Sequence, residues 1–223
     1  PDPWRLKMRF GLIFMSVLLL TTLLVATQRK IFDISLLAKT LLYTIIMLVA
    51  LTTPHLNLTN SWAIIIALAF CLAGDICLAF DSGKAFLAGL VVFLMGHLVY
   101  SATFIYMAKL NIWTIGALMV TSTVSGIVYT WLKPHLGSLR NPVIVYVVVI
   151  TVMIAAAGTV AGDAKFSTIG RWLVGGGAVF FYLSDLFVAR QRFIEPAFLN
   201  RAIGLPLYYV GQFLLAFSVG HIG

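Results

Sequence analysis

Apolar residues come in blocks of about twenty along this chain, and each block ends at a short run of polar or helix-breaking residues. Eight such blocks can be delimited, at about 10–27, 35–53, 62–80, 85–108, 112–132, 142–160, 170–190 and 200–220. A helix needs roughly 20 apolar residues to cross a bilayer, whereas the strands of a membrane barrel alternate with period two, a pattern absent here. The blocks predict an all-α polytopic membrane protein with eight transmembrane helices. The connections carry the punctuation: Gln28-Arg29-Lys30, Pro54-His55-Leu56-Asn57, Asp81-Ser82-Gly83-Lys84, Lys133-Pro134-His135, Gly162-Asp163-Ala164-Lys165 and Glu195-Pro196. None is long enough to divide the chain, so residues 1–223 read as a single eight-helix transmembrane domain.

Composition sharpens this picture. The chain is 61% hydrophobic and only 10% charged, against roughly a quarter charged in soluble domains. A water-soluble fold of this size could not hide so much apolar surface. The formal charge of +8 would suggest nucleic acid only if the basic residues formed a patch. They stand singly or in pairs between apolar blocks, as topology signals do, and nucleic-acid binding is set aside. Cys71 and Cys77 lie six residues apart in one apolar block, too far along a helix axis for a disulfide. Residues 10–27 follow basic residues but lack a small-x-small cleavage site, so no removable leader is expected.

Charge distribution also orients the spans. The connections after spans 1, 3, 5 and 7 hold Arg29, Lys30, Lys84, Lys133, Arg140, Arg190, Arg192 and Arg201, whereas those after spans 2, 4 and 6 hold Lys109, Lys165 and Arg171. The positive-inside rule places the first set in the cytoplasm. Arg5, Lys7 and Arg9 argue the other way.

Within the spans, two carboxylates stand out. Asp75 interrupts F-C-L-A-G-D-I-C-L-A-F in span 3, and Asp185 interrupts G-G-G-A-V-F-F-Y-L-S-D-L-F-V-A in span 7. A charge at membrane depth costs at least a few kcal/mol, so such residues are functional candidates by default. Each lies about five residues before the end of its span, hence about 8 Å below the basic interface at 1.5 Å per residue. Lys39, His97, Tyr208 and Gln212 belong to spans that start from that same side. The polar groups therefore converge on one leaflet.

Spans 3 and 7 share F-x-L-(A-G/S)-D-x-x-x-A, and spans 4 and 8 share G-L-x5-G followed by His97 or Gln212. The aspartates are 110 residues apart and the glycines 115. This echo suggests a parallel 4+4 internal repeat, with its axis along the membrane normal and both aspartates facing one central cavity.

Two carboxylates in one poorly hydrated pocket cannot comfortably both ionise, which would supply a general acid and an anion side by side. The plainer reading makes each a structural acceptor, Asp75 paired with Lys39 and Asp185 with Arg190. His97 and Tyr100 share a helix face and fit either a substrate pocket or interhelical packing beside Gly96. Tyr208 and Gln212, at i and i+4, line a pocket or pair between helices, with Pro206 able to open room beside them. Lys39 could snorkel to the interface, bind a lipid phosphate or pair with Asp75. A zinc site is not expected, because His55, His135 and His221 lie at loops or the terminus. No cofactor motif is present, and Gly175-Gly176-Gly177, inside a span, reads as a packing seam.

The set G-D-I-C-L-A-F, F-L-A-G-L-V-V-F-L-M-G-H-L-V-Y-S-A-T-F, Tyr146 in span 6, G-A-V-F-F-Y-L-S-D-L-F-V-A and L-P-L-Y-Y-V-G-Q-F-L-L resembles the lysoplasmalogenase-like, YhhN-type integral membrane family. Span 2 departs from that family, which carries a proline soon after the lysine; here Thr40-Leu41-Leu42 follow Lys39. The resemblance implies an eight-helix hydrolase that cleaves the vinyl ether of a lysophospholipid into a fatty aldehyde and a glycerophospho-alcohol. It implies Asp75 and Asp185 as the catalytic pair. Lys39, His97, Tyr100, Tyr146, Tyr208 and Gln212 are the expected substrate-binding residues. The partners expected are that lipid and the surrounding bilayer, a bacterial inner membrane or an endomembrane, with the site toward the cytoplasmic leaflet. The alternative is a proton- or cation-coupled transporter or lipid-translocating protein using the same aspartates.

Overall fold

A computed structural model describes residues 3–222, with side chains from residue 10 onward. Eight long α-helices form: α1 (Pro3–Gln28), α2 (Phe32–Thr52), α3 (Leu58–Ala79), α4 (Gly83–Met107), α5 (Ile112–Leu132), α6 (Arg140–Gly162), α7 (Thr168–Ala189) and α8 (Phe198–Ser218). The helices begin a few residues before most of the apolar blocks because polar residues in the connections cap them. Asn57 accepts from Asn60 N, Ser82 from Ala85 N and Ser167 from Gly170 N, while Asn111 forms a capping box with Thr114. Each satisfies an end N–H that has no partner inside its helix. Arg5, Lys7 and Arg9 fall outside the residues whose side chains are described.

Seven of these helices are long and apolar enough to cross a membrane. The other, α8, has similar length but carries Asn200, Arg201, Pro206 and Gln212. Hydroxyls inside the spans are mostly settled locally: Thr40, Thr44, Ser101 and Thr103 each donate to the carbonyl four residues earlier. Such residues are compatible with a bilayer and need no further explanation. Large aromatic side chains stand exposed at one end of the bundle, at Trp62, Tyr106, Trp113 and Trp172, where an interfacial belt would lie.

Neighbouring helices form a closed circuit, α2–α3–α4–α6–α7–α8 and back to α2. α1 packs outside it on α2, and α5 outside it on α6; α8 also touches α1 and α3. Between lipid-soluble helices there is little hydrophobic drive, so close approach and dispersion hold them together. The tightest seams are α3–α4 and α7–α8, and glycine permits both. A Cβ on Gly96 would lie 3.2 Å from Ala67 O, and one on Gly211 would lie 2.9 Å from Gly177 O. The triple glycine of α7 is part of this packing: Gly177 meets Leu215, and Gly175 faces Ala161 of α6.

The two ends of the circuit differ. Beyond α2, α4 and α6, the far end is closed by the turn after α8: Val219 and Ile222 are fully buried, and Gly220 abuts Thr53 and Pro54. There Arg171 Nε donates to Ala161 O at 2.7 Å, Asn111 to Thr159 O at 2.8 Å, and the Lys165 ammonium to Met107 O. At the basic end the backbone is irregular in two places. Lys30 holds a left-handed φ of 57° between α1 and α2. The last turn of α7 runs on as a π-helix over Arg190–Ile194, closed by Glu195 N donating to Arg190 O. Unlike glycine, a non-glycine residue in the left-handed region stores about 1 kcal/mol or more of backbone strain.

Candidate active site

Inside the circuit a cavity of about 1050 Å³ opens at the basic end. Its walls come from the ends of α1, α3 and α7, the starts of α2, α4 and α8, and the inner faces of α5 and α6. Ligand sites commonly enclose roughly 300–1,000 Å³, so this one has room for a lipid-sized molecule. Asp75 and Asp185 both line it, each four residues before its α-helix ends. The near-equal depth of the aspartates thus becomes a shared wall position.

Around Asp185 the neighbours are explicit. Tyr146 OH donates to Asp185 Oδ2 at 2.7 Å, and His97 Nε2 stands 3.6 Å from the same oxygen and 3.4 Å from the Tyr146 hydroxyl. His97 Nδ1 lies 2.7 Å from Phe93 O within α4, an acceptor that fixes a proton on Nδ1 and turns Nε2 toward the carboxylate. Phe181 covers the imidazole, ring centroid to ring centroid 4.6 Å. Arg190, the sequence-level alternative partner of Asp185, is engaged elsewhere: its guanidinium reaches Asn200 Oδ1 at 2.7 Å and Glu195 Oε2 at 3.2 Å. That pairing is corrected, because the π-turn carries Arg190 toward the α7–α8 connection.

Asp75 is furnished differently. It is 6% exposed, and its Oδ2 has no hydrogen-bond partner among the described residues. Lys39 shares a small recess with it, between Leu36, Thr40, Leu72 and Ile76, but no ion pair joins the two among the described residues. The Tyr208 hydroxyl is likewise unpartnered, on a ring that packs edge to face with Phe93 and Phe181 at centroid distances of 6.0 and 5.3 Å. Phe93 and Tyr208 line the cavity, and Phe181 is fully buried behind them.

Of the six expected substrate-binding residues, Lys39, Tyr146 and Tyr208 line the cavity. His97, Tyr100 and Gln212 are fully buried behind its wall. Gln212 Oε1 accepts from Tyr43 OH at 3.1 Å and from Tyr100 OH at 3.5 Å, tying α8 to α2 and α4. The helical spacing of His97 with Tyr100 and of Tyr208 with Gln212 indicated a shared face in each pair; it could not say that both members of the first pair, and Gln212 of the second, stand behind the wall. Tyr43 was missed, although it follows Lys39 by one turn, the spacing that could have found it. A hydroxyl cluster was missed as well: Ser125 Oγ lies 2.9 Å from both Thr151 Oγ1 and Tyr182 OH, and Ser125 and Tyr182 reach the cavity wall. No sequence pattern joins these three helices.

A carboxylate-lined cavity inside a ring of long apolar helices, open toward one face, defines a multi-pass helical membrane protein with an internal polar site. The YhhN family model matches residues 34–219, and the chain belongs to the YhhN family. It is 35% identical over 159 residues to Lysoplasmalogenase TMEM86A of Bos taurus, covering 70% of this chain and 64% of that protein. The Homo sapiens protein of the same name is 35% identical over 161 residues, with the same coverage. Lysoplasmalogenase of Mycobacterium tuberculosis is 30% identical over 130 residues, 56% of this chain and 46% of that protein. The chain thus spans just under two thirds of the length of the mammalian TMEM86A relatives. No solved structure matches it.

Proposed function

We propose that this protein is a membrane hydrolase that cleaves the vinyl ether of a lysoplasmalogen-type lipid, using Asp75 and Asp185. The observation that carries the reading is that both carboxylates line one cavity of lipid-accommodating size, within a family whose relatives are named lysoplasmalogenases. The concentration of basic connections at the cavity mouth supports a cytoplasmic leaflet for the site.

The unlike surroundings of the two aspartates support a division of roles. Asp185 receives the Tyr146 hydroxyl as a donor at 2.7 Å, which supports an anion there. Asp75 Oδ2 makes no hydrogen bond among the described residues, and an anionic oxygen buried without one is costly, so we assign the proton to Asp75. Asp75 gives that proton to the vinyl-ether carbon remote from oxygen. The adjacent carbon becomes an oxocarbenium ion, stabilised by the Asp185 carboxylate. Water adds to this carbon while Asp185 takes its proton, giving a hemiacetal. The hemiacetal hydroxyl returns a proton to Asp75, the carbon–oxygen bond to glycerol breaks, and the departing oxygen takes the proton from Asp185. One water is consumed, an aldehyde and an alcohol leave, and both carboxyls regain their starting states.

His97 and Tyr146 position Asp185, and Lys39 and Tyr208 border the reacting lipid on the Asp75 side. Tyr100 and Gln212 brace the wall from behind. Purified protein incubated with lysoplasmalogen should release a fatty aldehyde detectable by mass spectrometry. Recovery of intact lipid, or undiminished release by both Asp75→Asn and Asp185→Asn, would overturn the reading.

A further inference from the structure

Three cations line the mouth of the cavity without a carboxylate partner among the described residues: Lys30, Arg192 and Arg201. Arg190, close in sequence, is held by Asn200 and Glu195 and does not line it. Asp81 is the acidic residue on the same rim, leaving an excess of positive charge. Two of the three cations sit at backbone irregularities. Lys30 is the left-handed residue of a helix C-terminal motif in which Ile31 N reaches Ala26 O at 2.9 Å and Lys30 N reaches Thr27 O at 3.2 Å. Glycine normally occupies that position, and the turn itself gives no reason for a lysine. Arg192 belongs to the π-helical turn, whose extra residue rotates the side chains beyond it relative to an α-helix. It brings the Arg192 guanidinium over the Phe86 ring, 4.6 Å from its centroid. One face of the guanidinium is thereby held on the ring, while its N–H edge stays free to fork onto an oxyanion.

We propose that Lys30, Arg192 and Arg201 form a phosphate-binding rim, which holds the phosphodiester of a single-chain lipid while the chain enters the cavity. The inference deepens the hydrolase reading and rests on it. Arg192 lies seven residues beyond Asp185, about 10 Å along the helix axis, a span that a glycerophosphate and an arginine side chain can bridge together. Anchoring the phosphate there fixes how far the ether oxygen can descend, and so brings it to the level of the aspartates. Gln191 keeps the rim in shape, accepting from Ala197 N and Asn200 Nδ2, both at 3.1 Å.

The test uses full-length protein in nanodiscs and two unreactive ligands, a saturated 1-alkyl lysophospholipid and the matching 1-alkylglycerol that lacks phosphate. The wild type should bind the phospholipid about tenfold more tightly. Arg192→Gln and Arg201→Gln should each lose about fivefold toward the phospholipid and nothing toward the alkylglycerol. Lys30→Gly should lose binding similarly, yet raise the thermal midpoint by about 2–4 °C by relieving the turn. Inorganic phosphate should compete with the phospholipid in the wild type and much less in Arg192→Gln, which would show that the rim reads phosphate itself. Lys109→Gln, at the far end, should change none of these. Unchanged phospholipid affinity in all three rim variants, or equal losses toward both ligands, overturns the rim. If the wild type fails to discriminate the ligands while still releasing aldehyde, the rim alone falls. Discrimination without aldehyde release removes the hydrolase reading and leaves the phosphate site standing.

Discussion

In the α3–α4 pair, Gly96 faces Ala67 O and the Cys71 sulfur; in the α7–α8 pair, Gly211 faces Gly177 O and Phe181 N. Two turns nearer the basic end, Gly89 and Gly204 approach the carbonyls of Gly74 and Ser184, the residues just before the two aspartates. The two pairs are thus assembled in matching register. Their outer neighbours match too, since α2 joins α3 to α8 much as α6 joins α7 to α4. What surrounds each carboxylate does not match. Asp185 has Tyr146 and His97, whereas Asp75 has an unpartnered oxygen and a lysine close by without an ion pair. Similar packing delivers two carboxylates to one cavity, and unlike neighbours give them different electrostatic settings.

The largest expected effect tests that division of roles. Asp75→Asn should lower aldehyde release by about 10³–10⁴-fold and Asp185→Asn by about 10²–10³-fold, with helical content unchanged. The reverse order, measured as kcat on lysoplasmalogen, would exchange the acid and the anion. Next come the seams. Gly211→Ala should destabilise by about 2–3 kcal/mol and Gly96→Ala by about 1 kcal/mol, because the first drives a methyl nearer to backbone that cannot yield. Denaturant unfolding in detergent checks the difference; equal costs would mean that the two seams are equally tight. Tyr146→Phe removes the donor to Asp185 and should slow turnover about tenfold, whereas Tyr208→Phe, which loses an unpartnered hydroxyl, should cost less than about threefold. The smallest effect belongs to Lys39→Met, less than about threefold in kcat/KM, because Lys39 makes no ion pair with Asp75. A hundredfold loss there would show that the ammonium contacts substrate.

Much of this was legible in the chain. Blocks of about twenty apolar residues, set apart by short polar connections, mark the helices, because a bilayer demands that length; the caps at Asn57, Ser82, Asn111 and Ser167 came from the structure. The depth of Asp75 and Asp185 could be counted from their span ends, because the helical rise is fixed. Lys30 and Arg192 were visible only as topology charges. Nothing local shows that a left-handed turn and an extra residue at the end of α7 bring them to one rim. The same limit hid the pairing of Arg190 with Asn200 and Glu195.

The sequence by itself determined that this is a helical membrane protein with two isolated carboxylates at matching depths, because lipid admits only satisfied backbones and makes each stray charge conspicuous. The tertiary structure alone decided that these carboxylates share one cavity, that His97 stands behind Asp185 while Asp75 Oδ2 finds no hydrogen-bond partner among the described residues, and that Lys30, Arg192 and Arg201 line the cavity mouth. Those facts depend on how helices distant in sequence are rotated about their axes. Against lipid, many rotations hide the same apolar surface, and the glycine seams and buried polar contacts select one of them.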